Sequence, residues 1–513
     1  MKPNPTNPTQ TFPSQPARRA SRRHRITLLL LVGLLLPALA PAQSVVKVVD
    51  FVTGLDPFGV AFGPRIPRCQ FTQVGTNLWF TTFNGGVNDA GGVFAFDPVT
   101  TNITQLVSLD NITGRNPQSS LTLADGKVWF TTSAGGADNR GTLVSVATNA
   151  PYTITKVYDF VLGPIGRDPQ STPLLVGEDL WFTTTSGGLA PNGATNYGTV
   201  VRYNIPNNFI TNAITLDGTN SGRGPLGNSI VPIAGEYWFL TFSGGTNTGL
   251  GTPNGAGILG KFSIDANTNA VFTQLADLPT GNPGRHIAFP GGNPVWDGGN
   301  HVYFTTAGVS TNPGSLARYE ISSGTVTSLF NFVTNAVART NFGAQPYSTP
   351  LLYNDALYFT TLSGGTSNLG AFVKFDLKAN TLTKLADFER NGGAALGASP
   401  QYHSGTFYTN PATGRISMYW PINRGGLNGT SPFNGTIIRL DLPPPPVKTT
   451  ATTDGEFVLL SWTGGYSPFS IDRTEDLASG VWQTNWLTGL TSNAISFPLT
   501  GAQAFFRVAS TNQ

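Results

Sequence analysis

Leu78-Trp79-Phe80-Thr81-Thr82 returns as Val128-Trp129-Phe130-Thr131-Thr132 and Leu180-Trp181-Phe182-Thr183-Thr184. It returns again as Tyr237-Trp238-Phe239-Leu240-Thr241, Val302-Tyr303-Phe304-Thr305-Thr306 and Leu357-Tyr358-Phe359-Thr360-Thr361. A seventh copy, Ser417-Met418-Tyr419-Trp420-Pro421, is degenerate. The copies stand 50 to 65 residues apart. A period of this kind, built on short apolar strands and Gly-rich turns, predicts an all-β chain with one β-propeller blade per copy. It does not specify an activity, because one fold hosts many functions.

Working outward from the third copy, Pro169–Val176 reads as an inner strand, A, and Gly177-Glu178-Asp179 as a turn. The aromatic–Thr–Thr phrase is strand B, rich in aromatic and β-branched residues. Gly187-Gly188 opens a polar loop that ends near Gly198, strand C runs from there to Tyr203, and strand D covers Thr211–Leu216. Strands B and C are apolar on both faces, as expected of a sheet packed between two neighbours. In the seventh copy Pro443-Pro444-Pro445-Pro446 follows strand C and blocks a fourth strand. Val45-Val46-Lys47-Val48-Val49-Asp50-Phe51 has the strand D pattern and no blade before it. Pairing that strand with the last blade removes two open edges. The expected fold is therefore a seven-bladed β-propeller closed by an N-terminal strand.

The chain has 513 residues, too many for one ordinary domain. Arg18, Arg19, Arg22, Arg23 and Arg25 precede the apolar run 26–36, and Ala40-Pro41-Ala42 supplies small residues for cleavage. Residues 1–42 read as an export signal, and the apolar run is short for a membrane span. Taking Lys2 and those five arginines from the net charge of +3 leaves −3. The basic balance belongs to the leader, so nucleic-acid binding loses its support. The expected location is the periplasm, the outer surface or the medium, with no integral span after signal removal. Cys69 is the one cysteine. It cannot form an internal disulfide and reads as a small buried residue.

Residues 443–446 read as a stiff spacer. Beyond it, residues 447–513 hold short strands without the repeat phrase, read as a small β-sandwich. Its expected core is Trp462, Trp482, Phe505 and Phe506. The propeller is thus placed at 43–442.

The repeat resembles the Gloeo/Verruco ("GloVer") family of exported bacterial proteins, known from Verrucomicrobia and similar phyla. The likeness rests on the aromatic–Thr–Thr phrase, the Gly-Gly, the Gly before strand C and the aromatic end of strand D. Leu357–Thr361, Gly364-Gly365, Gly370 and Phe388 show all four. It covers about residues 45–442 and implies an exported propeller without implying an activity. Trp-Asp repeats, sialidase Asp-boxes and the quinoprotein tryptophan motif are missing. The tail looks like the immunoglobulin- or fibronectin-like end domains of exported proteins in the same bacteria, on Trp462, Leu477, Trp482 and Phe505-Phe506-Arg507-Val508.

His286, His301 and His403 lack metal-ligand spacing, and no metal or cofactor is expected. Asp50, Asp159, Asp277 and Asp387 recur at the end of strand D. Catalysis needs a carboxylate once or in a pair, so these read as turn or inter-blade groups and no catalytic residue is assigned. Asp89 and Asp138-Asn139, in the Gly-Gly loops, read as solvated turns rather than calcium ligands.

One constellation suggests recognition. Arg65-Ile66-Pro67, Arg115-Asn116-Pro117, Arg167-Asp168-Pro169 and Arg223-Gly224-Pro225 open four successive blades, while Ala344 and Ala398 take the place of Arg in the last two. Arg65, Arg115, Arg167 and Arg223 form a candidate rim for carboxylates or sugar acids. The plainer alternative has each Arg bonded to carbonyls of the next blade, since repeat-borne residues are usually structural. The expected function is a non-catalytic binding or scaffolding module for glycan or protein ligands. The alternative is a polysaccharide hydrolase or lyase with its site in the funnel.

Overall fold

The computed structural model describes residues 43–51, 54–55, 61–189, 196–225, 229–247, 255–279, 292–308, 313–333, 342–390, 395–401, 404–426, 434–445, 447–454, 456–498 and 504–510. The expected export signal, His286 and His403 lie outside them, as does the join between the fourth and fifth copies. The chain is all-β, and no helix among the described residues is long and apolar enough to cross a membrane. Residues 444–513 form a unit apart from residues 40–443.

Within residues 40–443 the strands build seven antiparallel meanders, one for each copy of the repeat phrase. In the third copy strand B is Asp179–Ser186, strand C is Thr199–Asn204 and strand D is Phe209–Thr215. The inner strand, expected as one run, is two short pieces, Arg167–Pro169 and Leu174–Val176, both paired with strand B. Strands B and C are buried along most of their length, whereas strand D is half-exposed. Seven apolar clusters lie between consecutive sheets. One of them joins the last sheet to the first, through Tyr408, Tyr419 and Ile437 against Phe71, Leu78 and Phe80.

The seventh sheet contains Thr406–Thr409, Ile416–Ile422 and Thr436–Asp441, and its outer strand is Val45–Asp50. Val45 lies opposite Leu440 and Asp50 opposite Thr436. The register slips between Lys47 and Val49, and every other C–D pair slips at the equivalent rung, as between Leu143 and Val144. Phe51 then donates its amide to Gly435 O at 2.9 Å, as Phe160 does to Gly141 O at 3.0 Å.

The glycine before strand C explains a fixed element of the repeat. Gly141 has φ +91°, and a Cβ there would strike the Thr132 carbonyl and come within 2.9 Å of Pro169 Cδ in the next sheet. Only glycine tolerates both demands. Gly435 stands in the same relation to Pro67, with φ +108° and 3.2 Å, across the seventh and first sheets.

Three of the recurrent aspartates of strand D, Asp159, Asp277 and Asp387, cap the Gly-Gly loops. Asp159 accepts the Ala137 amide at 3.1 Å and Asp387 the Thr366 amide at 3.0 Å. Lysines three residues earlier pair with three of the four: Lys47–Asp50, Lys156–Asp159 and Lys384–Asp387. Cys69 is buried, donates to Thr81 O at 3.2 Å, and its thiol is pushed up to about 11 by burial.

The tail unit has two three-stranded sheets. One is Lys448–Thr453, Phe457–Thr463 and Ala494–Pro498; the other is Gln483–Leu490, Phe469–Thr474 and Phe505–Ser510. Its core is Leu460, Trp462, Phe469 and Ile471, flanked by Trp486, Phe497 and Phe506. Trp482 and Phe505 are outside that core, contrary to the sequence-based expectation. Trp482 is half-exposed and lies under the Arg507 guanidinium at 4.6 Å from the ring centroid.

Candidate functional site

The D–A connections carry the Arg-x-Pro triplets. The middle residue is left-handed in every described copy: Ile66 (φ 53°), Asn116 (55°), Asp168 (55°), Gly224 (57°), Gln345 (57°) and Ser399 (45°). That conformation costs a β-branched residue such as Ile66 most. Backbone bonds hold it in place. The Asn116 amide donates to Ala90 O at 2.8 Å and the Asp168 amide to Arg140 O at 2.9 Å, each in the preceding sheet. The Ile66 amide donates to Asn434 O at 3.0 Å, joining the first sheet to the seventh. Copies with Ala in place of Arg keep the same bonds, Gln345 to Pro313 O at 2.7 Å and Ser399 to Leu369 O at 2.7 Å. The loop conformation therefore does not require the guanidinium.

The four arginines differ in their partners. Arg65 Nη1 lies 3.1 Å from Asp89 Oδ1, which also accepts the Gly85 amide at 2.8 Å. Arg167 reaches Asp168 Oδ2 at 2.7 Å and Asn196 Oδ1 at 2.9 Å. Arg223 Nε donates to Ser243 Oγ at 3.1 Å, with its guanidinium over the Tyr197 ring at 5.7 Å. Arg115 has no side-chain partner among the described residues, and its Nε is buried without an acceptor. The Asp168 carboxyl sits above the ordinary carboxylate range, because burial outweighs the Arg167 and Arg140 charges beside it.

Two cationic residues near these triplets were missed in the sequence. Arg424 pairs across the ladder with Ala398, on the rung where Ser243 faces Arg223. Its signal was its place directly before Gly425-Gly426. Counting through the junction of the seventh and first sheets, Arg424, Arg65, Arg115, Arg167 and Arg223 occupy one rung in five consecutive sheets. Ala344 faces Ser363 on that rung in the sixth. Arg140 is the residue before the Gly141 turn.

Inward from this rung the first residues of strand A join sheet to sheet. The Gln70 amide donates to Ser120 Oγ at 2.8 Å, Ser120 to Thr172 Oγ1 at 2.9 Å and Thr172 to Ser229 Oγ at 3.0 Å. Ser229 continues to Asn293 Oδ1 at 2.6 Å, and Asn293 to Thr349 Oγ1 at 2.8 Å. Thr406 Oγ1 donates to Phe71 O at 2.8 Å, linking the last inner strand to the first. All of these but Thr406 line a half-open cavity of about 290 Å³. Its described lining is hydroxyl, amide, thiol and apolar groups with one charge, Arg68, and holds no carboxylate or imidazole.

Two larger grooves lie between sheets instead. One, about 680 Å³, runs beside Lys127, Trp129 and Tyr203; the other, about 500 Å³, beside His301, Tyr303 and Phe375. They occupy equivalent positions in the repeat, as inter-sheet gaps do. His301 is paired there with Asp297 at 2.9 Å. No group of three or more metal-ligating side chains occurs among the described residues.

No curated protein matches the chain. Among solved structures, it is similar to TolB from Acinetobacter baumannii at 13% identity, covering 57% of this chain and 59% of that one, with TM-score 0.32. The chain thus spans little more than half of TolB. It is also similar to a putative 6-phosphogluconolactonase from Bacteroides fragilis at 14% identity, covering 85% and 99%, with TM-score 0.39. A family model described as the Gloeobacter/Verrucomicrobia repeat matches residues 49–194, which contain the first three copies of the phrase, so this stretch of the chain carries that repeat.

Proposed function

We propose that residues 43–442 form a closed seven-bladed β-propeller of an exported protein that binds acidic ligands at its arginine-bearing face. The inner hydrogen bonds support closure, as do the shared bulge of Val45–Asp50 and the Gly435–Pro67 contact. On this reading residues 447–513 are a small sandwich behind a proline spacer, supported by its two sheets and separate core.

The observation that carries the binding role is the arginine rung. Four sheets in succession present a guanidinium at a position where Ala supports the same loop, and the seventh sheet presents Arg424 from the opposite strand of that rung. Arg115 offers unspent donors there. Guanidinium forks match carboxylates and sulfates bidentately. An enzyme that cleaves glycans with two carboxylates needs that pair about 5–9.5 Å apart at the site. The described cavity lining offers none.

Calorimetric titration with polygalacturonate and with neutral galactan tests the role. Polygalacturonate should bind, weaken as salt rises, and bind at least tenfold more weakly to Arg115→Ala/Arg167→Ala protein that melts normally. Equal binding of galactan, or no binding of either, overturns the reading.

A further inference from the structure

From the third sheet to the seventh, strand C places a cation opposite the aromatic residue of strand B. Arg202 faces Trp181, Lys261 faces Trp238, Arg318 faces Tyr303, Lys374 faces Tyr358 and Arg439 faces Tyr419. Three of these cations meet a carboxylate: Arg202 meets Asp179 at 2.8 Å, Lys261 meets Glu236, and Arg439 meets Asp441 at 2.9 Å. Lys374, on its flexible stem, lies over the Tyr358 ring at 5.9 Å. Arg318 is placed differently. Asp179 and Glu236 stand two residues before the strand B aromatic, and in the fifth sheet that place belongs to His301. His301 Nδ1 is itself taken by Asp297 at 2.9 Å. Glu320 holds the place of Asp441, but its oxygens accept from Asn300 at 3.1 Å and Ser323 at 2.8 Å. No described acceptor meets the Arg318 guanidinium, and its Nε is buried.

Arg318 lines the groove of about 500 Å³ beside His301, Tyr303 and Phe375. His301 opens strand B, whereas the arginine rung lies at the far end of that strand, so the groove and the rim share no residue. The Tyr303 hydroxyl lies in the same groove without a described partner. Burial pushes its ionisation up, so it stays a proton donor at neutral pH. Leu329, Phe375 and Leu377 supply an apolar wall. The groove between the second and third sheets is built otherwise. Its strand C residue at this place is Ser145, and Lys127 is accompanied there by Asp125 and Glu178.

We propose that this groove of the fifth sheet binds a small carboxylic acid with an apolar body, its carboxylate held by Arg318 and the Tyr303 hydroxyl and its body laid on Leu329, Phe375 and Leu377. A guanidinium fork matches a planar carboxylate bidentately. A buried donor without an acceptor is costly, and a ligand oxygen removes that cost. The Asp297 and Asp355 carboxylates lie close enough to act on Tyr303. The site therefore has one open cation bounded by acidic groups, which suits a monoanion and disfavours a dianion such as a phosphate monoester. A groove of about 500 Å³ falls within the range of small-molecule sites, ~300–1,000 Å³.

The test is calorimetric titration of the whole protein at neutral pH and constant ionic strength with hydrocinnamate, hydrocinnamyl alcohol, phenyl phosphate and acetate. Hydrocinnamate should bind one per chain, with the other three each at least tenfold weaker. Arg318→Gln removes a charge that no described carboxylate pairs with, so it should keep the melting temperature while weakening hydrocinnamate at least tenfold. Should Arg318→Gln unfold, Tyr303→Phe, which removes only the hydroxyl, should weaken hydrocinnamate severalfold. No hydrocinnamate binding at millimolar concentrations, equal binding of the alcohol or the phosphate, or hydrocinnamate binding indifferent to the folded variant overturns the proposal.

Discussion

The second and seventh sheets have the same strand order and bulge but opposite connectivity. The second is formed by one stretch, Arg115–Asp159, whereas the seventh joins strands from the far end of the repeat region to Val45–Asp50. Phe160 and Phe51 are both fully buried and both bond to the glycine before strand C. Lys156–Asp159 and Lys47–Asp50 are the same ion pair at 2.7 and 2.8 Å. What specifies an outer strand is its own pattern of side chains together with the edge it meets. Chain continuity adds speed of encounter, because loop-closure entropy opposes a contact spanning nearly 400 residues.

Removing the strand should therefore have the largest effect. Deletion of residues 43–51 leaves Thr436–Asp441 as an open edge and uncovers Phe80, which stacks on Phe51 at 5.6 Å between ring centroids. The truncated protein should aggregate or melt far below the intact one, read by light scattering and circular dichroism. A deletion variant that stayed monomeric with an unchanged melting temperature would break the equivalence of the two sheets.

Phe51→Ala and Phe160→Ala compare the sheets more finely. Each removes a fully buried ring and should cost ~3–5 kcal/mol in denaturant unfolding. The kinetics should separate them. If the N-terminal strand docks late, Phe51→Ala acts almost wholly on the unfolding rate, whereas Phe160→Ala also slows folding. Identical rate effects would mean that closure precedes the rate-limiting step.

The contrast also explains which features the sequence revealed. The aromatic–Thr–Thr phrase, the Gly before strand C and the stray N-terminal strand were legible because each repeats, and repetition isolates a shared physical requirement. Arg65, Arg115, Arg167 and Arg223 were legible as a set for the same reason. Their partners were not, since Asp89, Asn196 and Ser243 meet them only through loop closure. Arg424 was hidden because the charge crosses to the other strand of the rung. In the tail, Trp482 and Trp486 cannot be told apart without the register that pairs Ile471 with Leu487.

Gly141→Ala and Gly435→Ala examine the inter-sheet contact beyond strand C. Both glycines have positive φ, and both would push a Cβ into a strand B carbonyl and toward the proline of the following sheet. Each should cost roughly 1–3 kcal/mol of unfolding free energy from backbone strain alone. The Gly141 variant should be the worse of the two, because its Cβ would lie 2.9 Å from Pro169 Cδ against 3.2 Å from Pro67 Cδ. A harmless Gly435→Ala would show that the seventh and first sheets are not packed as the others are.

The smallest effect concerns the capped loops. Asp387 accepts the Thr366 amide at 3.0 Å and faces Lys384 at 2.8 Å. Burial pushes its carboxyl up, but the Lys384 contact and the Thr366 bonds outweigh that and hold it below the ordinary carboxylate range. A depressed value in the folded state makes the sign definite. The stabilisation is complete above the unfolded-state value, near pH 4, and is lost as pH falls through the lower folded-state value. Asp387→Asn removes the charge that Lys384 pairs with, so it should cost less than ~1 kcal/mol at pH 7 and nothing once the wild-type carboxyl is protonated. The melting curves of variant and wild type should converge on acidification below pH 4, rather than run parallel. Parallel curves would mean that Asp387 acts through its shape in the loop, and that the Lys–Asp pairs shared by the second, sixth and seventh sheets contribute packing rather than charge.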